Sequence, residues 1–193
     1  MITNKEEYYD YLERDRVALQ KKKKRPSVFG DEIWKYEIAL RTAEYRYNCR
    51  KNRILKLIAK YRLHKLSIRT GFEIPINTCD AGLCLVHRGT VIIATNSHLG
   101  ENCRIHPGVT IGATNGSADA PVIGRNVFIA DGVKIIGKIR IADNVQSGAN
   151  AVVVSDILEE GTTWGGIPAK IISNNSSLKN IPFLAEQEKS KIR

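Results

Sequence analysis

Several features that would assign the chain to a common class are missing from its 193 residues. The four cysteines form no C-x-x-C pair, and the length suffices to bury a core without disulfides or metal, so we expect reduced thiols. There is no run of about 18 apolar residues, which excludes a membrane-spanning helix. The charged first residues lack the apolar core of a secretory signal. These absences exclude a disulfide scaffold, an integral membrane protein and a zinc ribbon, and they favour a cytoplasmic location.

Positive charge is concentrated at one end of the sequence. The net charge is +10, and residues 1–69 alone carry 19 basic and 9 acidic side chains. Residues 70–173 carry 7 basic and 9 acidic side chains, and residues 174–193 carry 4 and 2. We therefore predict a basic N-terminal region over 1–69, a near-neutral domain over 70–173 and a polar C-terminal tail over 174–193.

The N-terminal region has the pattern of α-helices. Neither proline nor glycine lies between Lys5 and Gln20 or between Asp31 and Ser67, and apolar residues recur at helical spacing. Asp31 is the expected N-cap of the second helical stretch. Residues 41–69 hold ten Lys/Arg and a single acid. This basic face is either a solvated helix surface or a binding surface for something anionic, such as lipid, a phosphate-bearing substrate or nucleic acid.

The second half of the sequence has a sixfold repeat. Counting in sixes from Ile93 to Val153 gives eleven positions, and all but Ser117 and Ser147 are large and aliphatic. A period of six fits neither an α-helix nor a hairpin meander. It is typical of a parallel β-helix, in which three hexads complete one triangular coil and each coil packs on its neighbours. We therefore predict an α+β protein in two parts, with a β-helix of about five coils over 70–173.

One segment interrupts the repeat. Residues 113–121 are small and polar and contain no core-forming side chain. They predict a loop extruded from the coil, and such loops on rigid scaffolds often carry functional residues.

The hexads and the closing segment GGIPAKII at residues 165–172 resemble the hexapeptide-repeat acyltransferases. Within that superfamily the chain is similar to the serine acetyltransferase branch, and most of all to members that O-acetylate sugars in capsule and exopolysaccharide assembly. The resemblance covers about residues 68–173. It implies a left-handed β-helix, acetyl-CoA as the acyl donor, direct transfer to a hydroxyl, and a homotrimer with active sites between subunits.

His87 is the candidate general base. It lies in the segment LVHRG at residues 85–89, which matches the family segment that contains the catalytic histidine. Counting back six from Ile93 also reaches His87, so an imidazole stands where other hexads have an aliphatic residue. An alcohol is a poor nucleophile until a base takes its proton, and imidazole is suited to this near neutral pH. A hydrogen-bonded structural histidine is the alternative.

A carboxylate is expected to orient the histidine, as in catalytic triads. The family supplies it one strand earlier, and Glu73 in the segment FEIP is the matching residue here. Because the chain has one residue fewer than the family between Glu73 and His87, the match is not unique, and Asp80 is a competing candidate. The alternative for Glu73 is an acid at the surface of the first coil.

The resemblance also implies residues that hold acetyl-CoA, whose arm lies in the family along a groove between adjacent β-helices. Small residues let such an arm approach the backbone, and a lysine offers a point charge for the phosphates. The matching positions are Gly112, Ala113, Thr114, Ala130, Asp131, Gly148, Ala149 and Lys170. Backbone N–H groups at Gly112 and Ala113 would stabilise the tetrahedral oxyanion.

Two features of true serine acetyltransferases are missing, and the second of them helps to hold serine. Val86 stands in place of the aspartate before the catalytic histidine, and Asp119-Ala120 replaces an Arg-His pair of the extruded loop. Because an amino-acid carboxylate needs a cation to offset its desolvation, we predict a saccharide acceptor, with serine as the alternative. The basic helices would then hold the enzyme at an anionic inner-membrane surface, where polysaccharide precursors are assembled.

Another class of function also fits part of the sequence, namely a non-catalytic β-helical oligomerisation module whose basic helices bind nucleic acid. Aromatic residues make up only 7% of the chain and no nucleic-acid motif is recognisable, so we predict no nucleic-acid partner. The spacing of His87, His98 and His106 does not match that of the zinc ligands in β-helical carbonic anhydrases. We predict no metal and, for His106, a structural or solvent-facing side chain.

Overall fold

The computed structural model describes residues 1–114 and 118–185, and it begins with three α-helices. They are α1 (Lys5–Ala18), α2 (Glu32–Cys49) and α3 (Arg53–Thr70). The side chains of Asn4 and Asn52 cap α1 and α3 by accepting N–H bonds from Glu7 and Leu55. None of the helices in these residues is long and apolar enough to cross a membrane.

Asp31 occupies the N-cap position of α2, as predicted, but its side chain does not cap the helix. This residue has a φ of 52°, in the left-handed region, and its side chain makes no capping bond. Its carboxylate instead accepts bonds from Lys21 Nζ at 2.6 Å and from the Ser27 N–H at 3.0 Å. These bonds, that from Lys21 first, lower the pKa of Asp31 to about 2 and hold the basic loop against the start of α2.

The predicted parallel β-helix is confirmed, and its short strands form three sheets that we call faces A, B and C. Face A holds β1 (Phe72–Glu73), β3 (Val91–Ile93), β6 (Val109–Gly112), β9 (Lys134–Ile136) and β12 (Val152–Val153). Face B holds β4 (His98–Leu99), β7 (Val122–Ile123) and β10 (Arg140–Ile141). Face C holds β2 (Cys84–Leu85), β5 (Arg104–Ile105), β8 (Phe128–Ile129), β11 (Gln146–Ser147), β13 (Thr163–Gly165) and β14 (Lys170–Ser173).

The aliphatic positions of the hexads point inward and stack between coils. Val91 pairs with Val109, three hexads further along the chain, as one triangular coil requires. Ile111 pairs with Ile135, four hexads further along, because this coil also contains the loop of residues 113–121. The loop therefore adds one hexad, which explains why the sixfold count continues across it. Residues 115–117, including Ser117 of that count, lie outside the described residues.

The helical region is joined to the first coil by a buried guanidinium. Arg41 of α2 is fully buried, and it donates to the carbonyl oxygens of Cys79 at 2.7 Å and Asp80 at 2.8 Å. Its charge is balanced by Asp15, at 2.7 Å, and Glu44, at 3.1 Å. Burial opposes the charge of Arg41, but these two carboxylates outweigh it and hold its pKa well above the usual value.

Buried acids of the helices satisfy backbone N–H groups of the same coil. Such groups cost free energy when buried without a partner, and the irregular first coil has no preceding coil to bond to. The bonds run to Asp15 from Gly82 and Leu83, to Glu37 from Leu85, and to Glu44 from Asn77. The helices and the first coil therefore stabilise each other.

The tail packs along its own chain as far as residue 185. A 3₁₀ helix, Ser177–Asn180, follows β14, and the buried Ser177 donates its N–H to Asn144 O at 3.0 Å. That bond lies beside a ladder of side-chain amides, in which Asn102, Asn126 and Asn144 are joined at 2.9 Å between successive coils. Each of these asparagines has a φ near +60°, a conformation that asparagine tolerates in tight corners.

Candidate active site

His87 lies at the corner where the chain passes from face C to face A. We call this the C-to-A corner; it comprises residues 86–90, 106–108, 130–132 and 148–151 in successive coils, and it ends at Gly165 and its partner Lys170. The side chain of His87 is exposed, so its imidazole is open to a substrate.

The interpretation of His87 as an inward hexad position is wrong. Leu85 is the buried residue of this coil, and its partner Ile105 comes two positions later than three hexads would place it. The first C-to-A turn is therefore longer than that of a regular coil. The extra length places His87 outside the core, as a base that must reach a substrate requires.

Neither predicted carboxylate contacts His87 in the part of the chain that the structure describes. Glu73 is exposed on β1, opposite Ile92 of the next coil. Asp80 lies 3.2 Å from His98 Nε2 and accepts a bond from the Tyr11 hydroxyl, next to face B. The geometry thus disfavours Asp80 as the partner, whereas the Glu73 carboxylate is open to solvent on face A.

A second histidine follows His87 in the next coil. The ring centroids of His87 and His106 are 6.2 Å apart, and His106 Nδ1 lies 3.4 Å from Asp131 Oδ2. Burial and the nearby Arg104 lower the pKa of His106 against the opposing effect of Asp131, so the ring is neutral at neutral pH. Its Nε2 atom is buried, with no hydrogen-bond partner among the described residues. His106 therefore lies within the site.

The sequence analysis missed the pairing of His106 with Asp131. Ile105 pairs with Ile129, four hexads further along the chain, and the same interval leads from His106 to Ala130, the neighbour of Asp131. Adding one coil and the loop insertion to the position of His106 would have placed Asp131 beside it.

The C-to-A corner is lined by small residues beyond His106. Ala130, Gly148 and Gly165 follow in successive coils of face C, and the Gly148 N–H donates to Trp164 O at 2.7 Å. Ala149, also predicted to bind the donor, is exposed next to Gly148. Side chains this small leave the backbone open to a long, thin ligand.

Lys170 lies at the far end of this row of small residues. It pairs with Gly165 across the antiparallel contact of β13 with β14, and its side chain is exposed. Five strand spacings separate β2 from β14, which is about 24 Å at about 4.8 Å per strand. The exposed side chains of His87 and Lys170 thus stand at opposite ends of one corner of the β-helix.

The remaining predicted positions lie elsewhere. Gly112 ends β6, and Ala113 and Thr114 begin the loop that leads away from face A. They stand at the opposite end of face A from the C-to-A corner. One chain therefore does not bring all the predicted donor-binding residues together, because Gly112 and Ala113 lie apart from Ala130, Gly148 and Lys170.

The loop has a cation beside it that the sequence analysis did not foresee. Lys138, in the turn before β10, places its Nζ 3.1 Å from Asp119 Oδ1, and both side chains are exposed. No group of three or more His, Cys, Asp or Glu that could hold a metal ion occurs within residues 1–114 and 118–185.

Comparison with known proteins identifies relatives of this chain. A serine acetyltransferase of Synechococcus elongatus is 33% identical over 135 residues, 68% of this chain and 53% of that protein. The chain thus spans about half the length of this relative. No family model matches the chain.

Two solved structures extend the likeness to the fold. The serine acetyltransferase of Neisseria gonorrhoeae superposes with a TM-score of 0.69 and 25% identity, over 91% of this chain and 70% of that one. The Brucella abortus enzyme, solved in complex with coenzyme A, gives 0.65 and 25%, over 89% and 70%. The chain is therefore a serine-acetyltransferase-like hexapeptide-repeat protein with a left-handed β-helix.

Proposed function

We propose that this chain is an acetyl-CoA-dependent O-acetyltransferase. The observation that carries the proposal is the C-to-A corner, with His87 exposed at one end, small residues along it and Lys170 at the other end. The similar Brucella abortus enzyme binds coenzyme A, a ligand with a thiol at one end of an extended arm and phosphates at the other. The small residues and Lys170 fit such an arm and its phosphates.

In the proposed reaction the donor supplies an acetyl thioester, which is activated for attack. His87 accepts the proton of the acceptor hydroxyl as its oxygen attacks, and it holds that proton until the leaving sulfur takes it. The ring of His106 lies beside that of His87, with centroids 6.2 Å apart, and is itself packed against Phe128, with centroids 5.0 Å apart. We propose that the carboxylate of Glu73, exposed on face A, orients His87 when the acceptor is bound.

For the acceptor, L-serine is the first candidate, because the relatives reported above are named serine acetyltransferases. A saccharide hydroxyl is the second candidate, and a specific observation favours it. Residues 113–121 contain no Lys, Arg or His, and the nearby Lys138 already faces the Asp119 carboxylate. Desolvating the carboxylate of serine there would be unfavourable without a further cation.

The acceptor is tested by measuring release of the CoA thiol from acetyl-CoA with L-serine and, separately, with uncharged mono- and disaccharides. Saturable release with serine that requires His87 would establish the first candidate. Release with a saccharide only would establish the second. Turnover with neither, although acetyl-CoA binds, would contradict both acceptors.

We further propose a homotrimer with sites between subunits. The support is the division of the predicted donor-binding residues between two corners of one chain, Gly112 to Thr114 on one and Ala130 to Lys170 on the other. A second copy would bring the two sets together.

Replacing Lys170 with glutamine tests the role of its charge. We expect a KM for acetyl-CoA raised about tenfold with kcat little changed, because a hydrogen bond to a charged group contributes about 1.5–3 kcal/mol. The matched control is Lys179→Gln, another exposed lysine, on the 3₁₀ helix. Equal KM values for Lys170→Gln and the unaltered protein would show that the phosphates lie elsewhere.

A further inference from the structure

Helix α3 carries a second apolar face that stays exposed in the folded chain. Its inner face, around Ala59 and Leu63, packs against α2 and the first coil. On the opposite side of the helix lies a stripe of exposed apolar side chains at helical spacing. They are Ile54 (70% exposed), Leu57 (68%), Ile58 (49%), Tyr61 (58%) and Ile68 (71%).

Cations border this stripe on both sides, and α3 has no acid. In α-helical projection Arg53 and Lys60 fall on one edge of the stripe, and Arg62 and Arg69 on the other, with Lys65 between Tyr61 and Ile58. An apolar face flanked by Lys and Arg is the pattern of helices that lie in the plane of a membrane interface.

A basic loop adjoins the C-terminal end of α3. Arg69 lies 3.8 Å from Glu32, which lies 3.6 Å from Lys35, and Lys35 Nζ donates to Val28 O at 2.8 Å. Val28 and Phe29 are 83% and 93% exposed, and the exposed cations of residues 22–25 precede them. The loop therefore offers the same combination of apolar and cationic side chains as α3, next to it.

We propose that the outer face of α3, with residues 22–29, binds the surface of an anionic lipid bilayer. This inference does not depend on the proposed acetyl transfer. Lys and Arg meet anionic headgroups while the Ile, Leu and Phe side chains enter the acyl boundary. Nucleic acid would match the cations but would leave the apolar stripe in water. Pairing with the same face of a second copy is also disfavoured, because it would bring together two helices that carry cations and no acid and that therefore repel each other.

The experiment is co-sedimentation of the full chain with sucrose-loaded vesicles. One set is phosphatidylcholine alone, and the other is one-third phosphatidylglycerol. We expect sedimentation with the second set only, and weakened binding at about 1 M salt, where the Debye length is about 3 Å. The double variant Tyr61→Ser/Ile68→Ser should bind at least about tenfold more weakly, because both side chains lose apolar burial. Leu158→Ser, an equally exposed site on the β-helix, should bind as the unaltered chain does.

Several results would overturn the proposal. One is a lack of binding to either set of vesicles. Another is binding that the double variant leaves intact, since a purely electrostatic contact would not need the stripe. A third is a change of oligomeric state in the double variant, measured by sedimentation velocity, because the stripe would then be covered by another copy. Activity of the double variant in solution, compared with the unaltered chain, reports separately on acetyl transfer.

Discussion

Replacing His87 with alanine is expected to lower kcat for acetyl transfer about 10²- to 10⁴-fold, the usual contribution of a general base. The affinity for acetyl-CoA should stay within about twofold, because none of the residues proposed to bind the donor is His87 itself, and Ala130, Gly148 and Lys170 lie further along the C-to-A corner. His87 is exposed, so its removal should leave the fold intact. The measurements are CoA thiol release under saturating donor and acceptor, and donor binding by calorimetry.

His98→Ala is the matched control for this variant. His98 is also exposed, but it pairs with Asp80 next to face B, away from the C-to-A corner. It should retain the activity of the unaltered chain. Full activity of His87→Ala, with loss of activity in His106→Ala, would instead assign the base to the second histidine.

Replacing Arg41 with methionine is expected to lower the free energy of unfolding by about 3–5 kcal/mol, the cost of breaking a buried ion pair by removing one partner. Methionine fills much of the space of the arginine stem but donates no hydrogen bond. The carboxylates of Asp15 and Glu44 and the carbonyl oxygens of Cys79 and Asp80 would lose their shared donor. Urea unfolding, followed by circular dichroism, measures the change.

Two variants control for this result. Arg62→Met removes an exposed arginine of α3 and should change the free energy of unfolding by less than about 0.5 kcal/mol. Glu37→Gln should also be well tolerated, because burial raises the pKa of Glu37 well above the usual value and so opposes its charge, and a glutamine oxygen can still accept the Leu85 N–H bond. An Arg41→Met protein as stable as the Arg62→Met protein would show that the helices and the first coil are held together in another way.

Residues of the β-helix could be assigned from the sequence because their environment repeats. Ile93, Ile111 and Ile135 each pack on the same position of the neighbouring coil, so one rule of spacing describes them all. The same rule failed at His87, because the longer first turn changes which side chain faces inward. Spacing describes the regular coils, whereas a candidate catalytic residue lies where the chain departs from them.

The role of Arg41 could not be predicted, since its partners come from separate stretches of chain. Asp15 lies on α1, and the carbonyl oxygens of Cys79 and Asp80 belong to the first coil, on the far side of α3 in the sequence. Composition showed only that the helical region is basic. It gave no means of distinguishing the buried Arg41 from the exposed cations of α3.

The sequence by itself determined the β-helix, the position of the loop after β6 and the separation of a basic helical region from a near-neutral domain. Each of these depends on local spacing or composition, which are properties of the chain alone. Tertiary structure decided that His87 faces solvent beside His106, that Asp131 pairs with His106 and that Asp80 pairs with His98. It also decided that one face of α3 is left uncovered. These outcomes depend on how separate coils and helices stack, because contacts between distant segments follow from packing that no local pattern records.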